Sequence, residues 1–178
     1  MHPEDRPTAA QERARYDTHE NDPADSGYRA FLARLANPLV ERLPPGARGL
    51  DYGSGPGPTL SVMLQERGFP TTIYDPFYAP ETAVLRERYD FITCSETAEH
   101  FFRPSREFQR FDRILRSGGW LGLMTERLDE GVALEEWHYA RDPTHVCFYR
   151  RRTIEWIARE YGWSPEFPHR NVVLFQKA

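Results

Sequence analysis

The chain has 178 residues, 28% of them charged, with a net charge of −4 at pH 7 and a pI near 5.9. That length suits one domain with its own core, and the acidic balance argues against coating nucleic acid through bulk electrostatics. Cys94 and Cys147 stand apart without a CxxC spacing, which speaks against a disulfide framework or a thiolate zinc knot and for a reducing compartment.

At the amino end, "MHPEDRPTAAQERARY" carries acids and prolines where a secretory signal needs an apolar run. No later stretch reaches membrane-spanning length, so a cytoplasmic protein without a membrane partner is expected. Residues 1–15 show no apolar periodicity and read as a mobile tail, partly helical toward Arg13. Residues 16–46 read as a helical leader: Tyr28, Phe31, Leu32 and Leu35 fall at helical spacing behind an Asp25 or Ser26 cap, and Pro38 starts or kinks a second piece through Leu43.

Residues 47–125 alternate strand and helix signals, the pattern of a parallel sheet with crossover helices. Strands are expected near 48–52, 71–75, 90–94 and 119–125. Leu60, Met63 and Leu64 mark one helix ending at Gly68, and Phe108, Phe111, Ile114 and Leu115 mark another ending at Gly118. Residues 126–178 begin with a long irregular stretch, "ERLDEGVALEEWHYARDPTHVCFYRR", whose length points to function. A helix capped by Thr153 follows, then "WSPEFP" and "NVVLFQKA", two strands expected to pair antiparallel. The fold class is therefore α/β: a doubly wound, mostly parallel sheet with an antiparallel C-terminal strand.

"LDYGSGPGPTL" closes the first strand with a glycine-rich bend, where ligands of such sheets bind. The spacing is GxGxG rather than the GxGxxG of a dinucleotide loop, and Asp51 precedes it, which opposes a nicotinamide-dependent oxidoreductase. A carboxylate there repels pyrophosphate but attracts, directly or through water, the ammonium of an amino-acid moiety. Asp75 ends the next strand, where a carboxylate can accept from both hydroxyls of a ribose. A nucleoside carrying an amino acid would satisfy both acids.

From "GLDYGSGPG" through "IYDP", "YDFITCSETAEHF" and "RILRSGGWLGLMT", the chain resembles the class I S-adenosylmethionine-dependent methyltransferases. The resemblance implies a Rossmann-like sheet, S-adenosylmethionine as cofactor and a small-molecule acceptor. It implies that Asp51, Tyr52, Gly53, Ser54 and Gly55 hold the methionine part, that Asp75 with Pro76 holds the ribose, and that Cys94 and Ser95 line the floor near the sulfonium. Only fourteen residues, Pro76 to Tyr89, separate Asp75 from Asp90, so the family's third strand should be short or missing. The adenine contacts stay open, with Phe77 and Tyr78 as candidates for an apolar wall.

If "ETAEH" begins a helix, Glu96, Glu99 and His100 share one face. With the later His145, this element is similar to the metal site of small-RNA 3′-end 2′-O-methyltransferases, which implies Glu96, Glu99, His100 and His145 as ligands of a divalent ion and an RNA or another vicinal diol as acceptor. Two carboxylates and two imidazoles suit magnesium, manganese, iron or zinc without choosing among them. In the small-molecule branch such a Glu-His pair need bind nothing, and a non-catalytic S-adenosylmethionine-binding partner protein is a further alternative. His100, His138 and His145 are the candidate bases, since their intrinsic pKa lies near neutrality. Tyr16, His19 and Tyr28 are candidates to close the cofactor site, and Arg141, Arg150, Arg151 and Arg152 to steer an anionic acceptor.

Overall fold

Apolar side chains alternate along the strand segments, and in the computed structural model, which describes residues 7–17 and 22–178, that alternation feeds two cores. Among the described residues six strands form one sheet: β1 (Gly49–Tyr52), β2 (Thr71–Tyr74), β3 (Tyr89–Ser95), β4 (Leu115–Met124), β5 (Trp163–His169) and β6 (Val172–Lys177), in the order β2-β1-β3-β4-β6-β5. The β2, β1, β3 and β4 strands run parallel, and β6 lies antiparallel between β4 and β5. No strand forms between β2 and β3, where an Asp75–Ala79 bridge and a 3-10 turn at Thr82–Arg86 fill the gap, so β2 is the sheet's edge as the short spacing predicts.

Among the described residues five α-helices form, α1 (Ala9–Tyr16), α2 (Ser26–Val40), α3 (Thr59–Glu66), α4 (Pro104–Ile114) and α5 (Arg151–Tyr161), of which α2 to α5 pack on the sheet. Phe91, Trp120, Met124 and Leu174 face α2 and α3, whereas Ile92, Cys94, Leu121, Leu123 and Phe175 face α4 and α5. Gly122 lets α2 approach, since a Cβ there would stand 2.9 Å from Leu35 Cδ1. Among the described residues no helix is long and apolar enough to cross a membrane.

Residues 1–6 of the expected tail lie outside the described residues. Thr8 and Gln11 form a reciprocal capping box that starts α1, extending the helicity expected toward Arg13 across Ala9–Tyr16. Asp25 caps α2 by accepting from Gly27 N–H at 2.7 Å, and Pro38 is carried inside that helix rather than starting a new one. The α4 helix stops at Ile114, four residues before Gly118: the fully buried Leu115 takes extended backbone and pairs with Tyr89, drawing the chain straight into β4. Gly118 keeps its positive φ of 76°, inside the strand. "ETAEH" is not an α-helix either. Glu96 has a φ of +46° and only Ala98–His100 make a single 3-10 turn, because the chain must reverse off β3 before α4 begins.

Candidate functional site

A cavity of about 880 Å³ opens at the carboxyl ends of β1, β2 and β3. Its back is the bend after β1, where Gly53 and Gly55 both have positive φ, 79° and 64°. A Cβ on Gly53 would meet the Thr97 side chain at 2.3 Å, so the bend can pass only as glycine. The loop is tied to β2: Gly53 N–H donates to the Tyr74 carbonyl at 2.7 Å and Gly55 N–H to Asp75 Oδ2 at 3.0 Å. Asp75 Oδ1 accepts from Phe77 N–H at 2.8 Å and Tyr78 N–H at 3.1 Å, whereas Oδ2, with the single Gly55 bond, keeps a lone pair for a ligand.

Tyr52, Gly53, Ser54, Gly55, Asp75, Pro76 and Ser95 line the cavity. Asp51 and Cys94 do not. Asp51 is 3% exposed and sits behind the bend, accepting from Thr93 Oγ1 at 2.8 Å, and burial pushes its carboxyl up to about 6. The Cys94 side chain alternates into the core beneath α4, away from the floor, and burial pushes its thiol up. Ser54 Oγ and Ser95 Oγ are buried in the wall without a protein partner.

Beyond Ser95 the late loop folds back on the "ETAEH" turn, because the Glu99 carbonyl accepts from Val146 N–H at 2.8 Å and Cys147 N–H at 2.9 Å. Ligand-capable atoms of Glu99, His100 and His145 thereby lie within 4.8 Å of one another. Each imidazole is held by a backbone carbonyl at Nδ1, His100 by Thr144 at 2.9 Å and His145 by Tyr139 at 2.7 Å, which in the neutral ring places the proton on Nδ1 and makes Nε2 the basic nitrogen. Burial lowers the His145 pKa, against the raising effect of Glu99. Glu96 stands beside this trio rather than in it, with Oε1 buried and unpartnered. The Tyr139 hydroxyl bridges the two acids, donating to Glu99 and lying 3.3 Å from Glu96 Oε2. Burial and the neighbouring carboxyl push Glu96 upward, and burial does the same to Glu99.

His138 is exposed on the outer side of the loop and does not join the cavity. The late arginines do not either: Arg150 donates to the Asp129 and Val132 carbonyls, Arg151 pairs with Glu155, and Arg141 and Arg152 stand outside the lining. The cationic wall comes instead from Arg103, Arg106 and Arg110 at the start of α4, at a spacing that reads in sequence as an ordinary solvated helix face. Tyr139 and Thr125, the partners of Glu99, also carry no sequence signal of their own.

The mouth is strapped by α1. Glu12 points into the cavity, with burial pushing its carboxyl up to about 7, while Arg15 pairs with Asp142 at 2.9 Å and Asp17 accepts from the Tyr78 hydroxyl at 2.5 Å. Burial would raise Asp142, but hydrogen bonds from Thr144 and Arg15 outweigh it and hold that carboxyl near 2. Tyr28 lines the cavity from α2, the Tyr16 backbone ends α1, and His19 lies outside the described residues.

Residues 24–166 match a family described as "Methyltransferase domain". A search of curated proteins finds no match. Among solved structures, an O-methyltransferase family protein from Burkholderia thailandensis superposes with a TM-score of 0.63 at 17% identity, covering 98% of this chain and 65% of its own. A SAM-dependent methyltransferase from Archaeoglobus fulgidus gives 0.58 at 19% identity, with 76% and 69% covered. Phosphoethanolamine N-methyltransferase 2 of Haemonchus contortus, in complex with S-adenosyl-L-methionine, gives 0.57 at 17% identity, with 74% and 37% covered.

Proposed function

The chain belongs to the methyltransferase-domain family of S-adenosylmethionine-dependent enzymes, and from that premise we propose that it methylates a small-molecule acceptor held at the histidine end of its cavity. One observation carries the reading: a bend only glycine can make, the Asp75 carboxylate and the orphaned Ser54 and Ser95 hydroxyls share a cavity with two imidazoles, each held at Nδ1 by a backbone carbonyl. Those residues fit the cofactor, since the glycine bend admits close backbone approach and the buried serine oxygens need a polar partner.

Bound S-adenosylmethionine supplies an electrophilic methyl on a sulfonium, with its leaving group already present. What remains for the protein is alignment, exclusion of water and removal of a proton from the acceptor. Asp75 orients the ribose, α1 shields the mouth, and His100 or His145 takes the proton at Nε2. Calorimetry with S-adenosylhomocysteine tests the premise, followed by a pooled acceptor screen with labelled methyl groups. Heat with that compound and none with NAD is expected; the reverse would overturn the reading.

The clustering of Glu99, His100 and His145 favours a second reading, a divalent-metal-assisted transfer to a vicinal diol such as an RNA 3′ end. The donor set fits, because backbone-held Nδ1 atoms orient both imidazoles and Thr125 and Tyr139 orient the carboxyl. The ion would supply a grip on two neighbouring hydroxyls. Protein purified without a chelating tag should then contain metal that Glu99→Ala lacks; no metal, and no thermal shift with divalent ions, would remove this reading.

A further inference from the structure

Resting on the cofactor reading above, we propose that Glu107 recognises the adenine of the cofactor, accepting a hydrogen bond from the base's exocyclic amine through a carboxylate oxygen that the protein leaves free. The need arises from the sheet. With β2 at the edge, no neighbouring strand end stands beside Asp75 to carry a base-reading side chain. The cavity nevertheless continues past Asp75, bounded by Tyr74, Phe77, Phe101 and the inner face of α4.

That extension has the chemistry of a purine site. Tyr52 and Tyr74 set their rings 5.1 Å apart and Phe101 packs 6.2 Å from Tyr52, giving an aromatic wall. Asp75 and Glu107 line the same cavity, so the α4 acid and the ribose-end acid border one space; burial raises the Tyr74 phenol beside them against the lowering effect of Arg110. Within that wall Glu107 is anchored on one side only. Its Oε2 accepts from the Tyr52 hydroxyl at 2.6 Å and from the Arg110 guanidinium, and Arg110 also donates to the Tyr52 oxygen at 2.5 Å. Among the described residues nothing donates to Oε1.

A carboxylate oriented by two donors on one oxygen offers the other as an acceptor of defined direction. Adenine presents a donor at its 6-position, whereas hypoxanthine presents a carbonyl there that a carboxylate repels. Tyr52 explains itself in the same way: at the end of β1 its phenol is long enough to reach α4 and fix the acid.

The test is calorimetry of the full chain with S-adenosylhomocysteine and with S-inosylhomocysteine, its hypoxanthine counterpart. The wild type should prefer the adenosyl compound by roughly 10- to 100-fold, the range set by leaving a buried polar pair unmatched. Glu107→Gln, whose amide can accept or donate, should bind the two within about threefold of each other. Tyr52→Phe, which removes one of the two anchors, should give an intermediate ratio. Equal binding by the wild type, or an undiminished preference in Glu107→Gln, would overturn the proposal while leaving the cofactor assignment standing. Binding of neither compound would sink both, and the wild-type comparison decides even if a variant does not fold.

Discussion

Asp51 shows how one buried carboxyl makes stability depend on pH. Its folded pKa, near 6, lies above the ordinary carboxylate value, so its contribution to stability is full below about pH 4 and is lost as pH rises through 6. Asp51→Asn removes that titration. The variant without cofactor should be more stable than wild type by up to roughly 2–3 kcal/mol above pH 6 and equal to it below pH 4, by urea unfolding across pH. Gly53 fails differently. Gly53→Ala places a Cβ at positive φ and against Thr97, so it should cost about 1–3 kcal/mol and abolish cofactor binding in calorimetry. Both positions are legible from sequence, because a φ demand and an acid beside a glycine bend are local facts. Glu107 and Tyr139 are not legible: a glutamate on a helix and a tyrosine in a loop look like any solvated residue until partners distant in the chain reach them.

At the scale of elements, α1 joins two loops that the sheet holds apart, Tyr78 after β2 and Asp142 in the late loop. The Arg15–Asp142 pair is partly exposed, so its global contribution is at most about 1 kcal/mol. Its removal should therefore act on kinetics. Arg15→Ala should leave the melting temperature almost unchanged and raise the dissociation rate of S-adenosylhomocysteine severalfold, measured by stopped-flow fluorescence. An unchanged rate would mean that α1 does not gate the site. The α2 helix has another part: Leu32, Leu35, Ala36 and Leu39 are buried on the sheet, so only Tyr28 and Phe31 at its start reach the cavity. The 3.6-residue stripe in the sequence identifies that helix but does not say which of its turns meets the ligand.

At the scale of the molecule, the cavity is built from β1, β2, β3, α1, α2, α4 and the late loop together, so filling it should stabilise the whole domain. At a hundredfold excess over Kd, S-adenosylhomocysteine should add about 2.7 kcal/mol, which for a chain of this size raises the melting temperature by about 5–10 °C, and NAD should add nothing. A scanning calorimeter would separate the two. The order of strands and helices, the glycine bend and the shortened edge could be read from the sequence alone, because periodicity, positive φ and segment length are properties of neighbouring residues. The destinations of His138 and His145, seven positions apart in one loop, could not. Tertiary packing decided them: the Glu99 carbonyl captures the amides of Val146 and Cys147, turning His145 inward and leaving His138 in solvent, and no local pattern encodes a contact formed across more than forty residues.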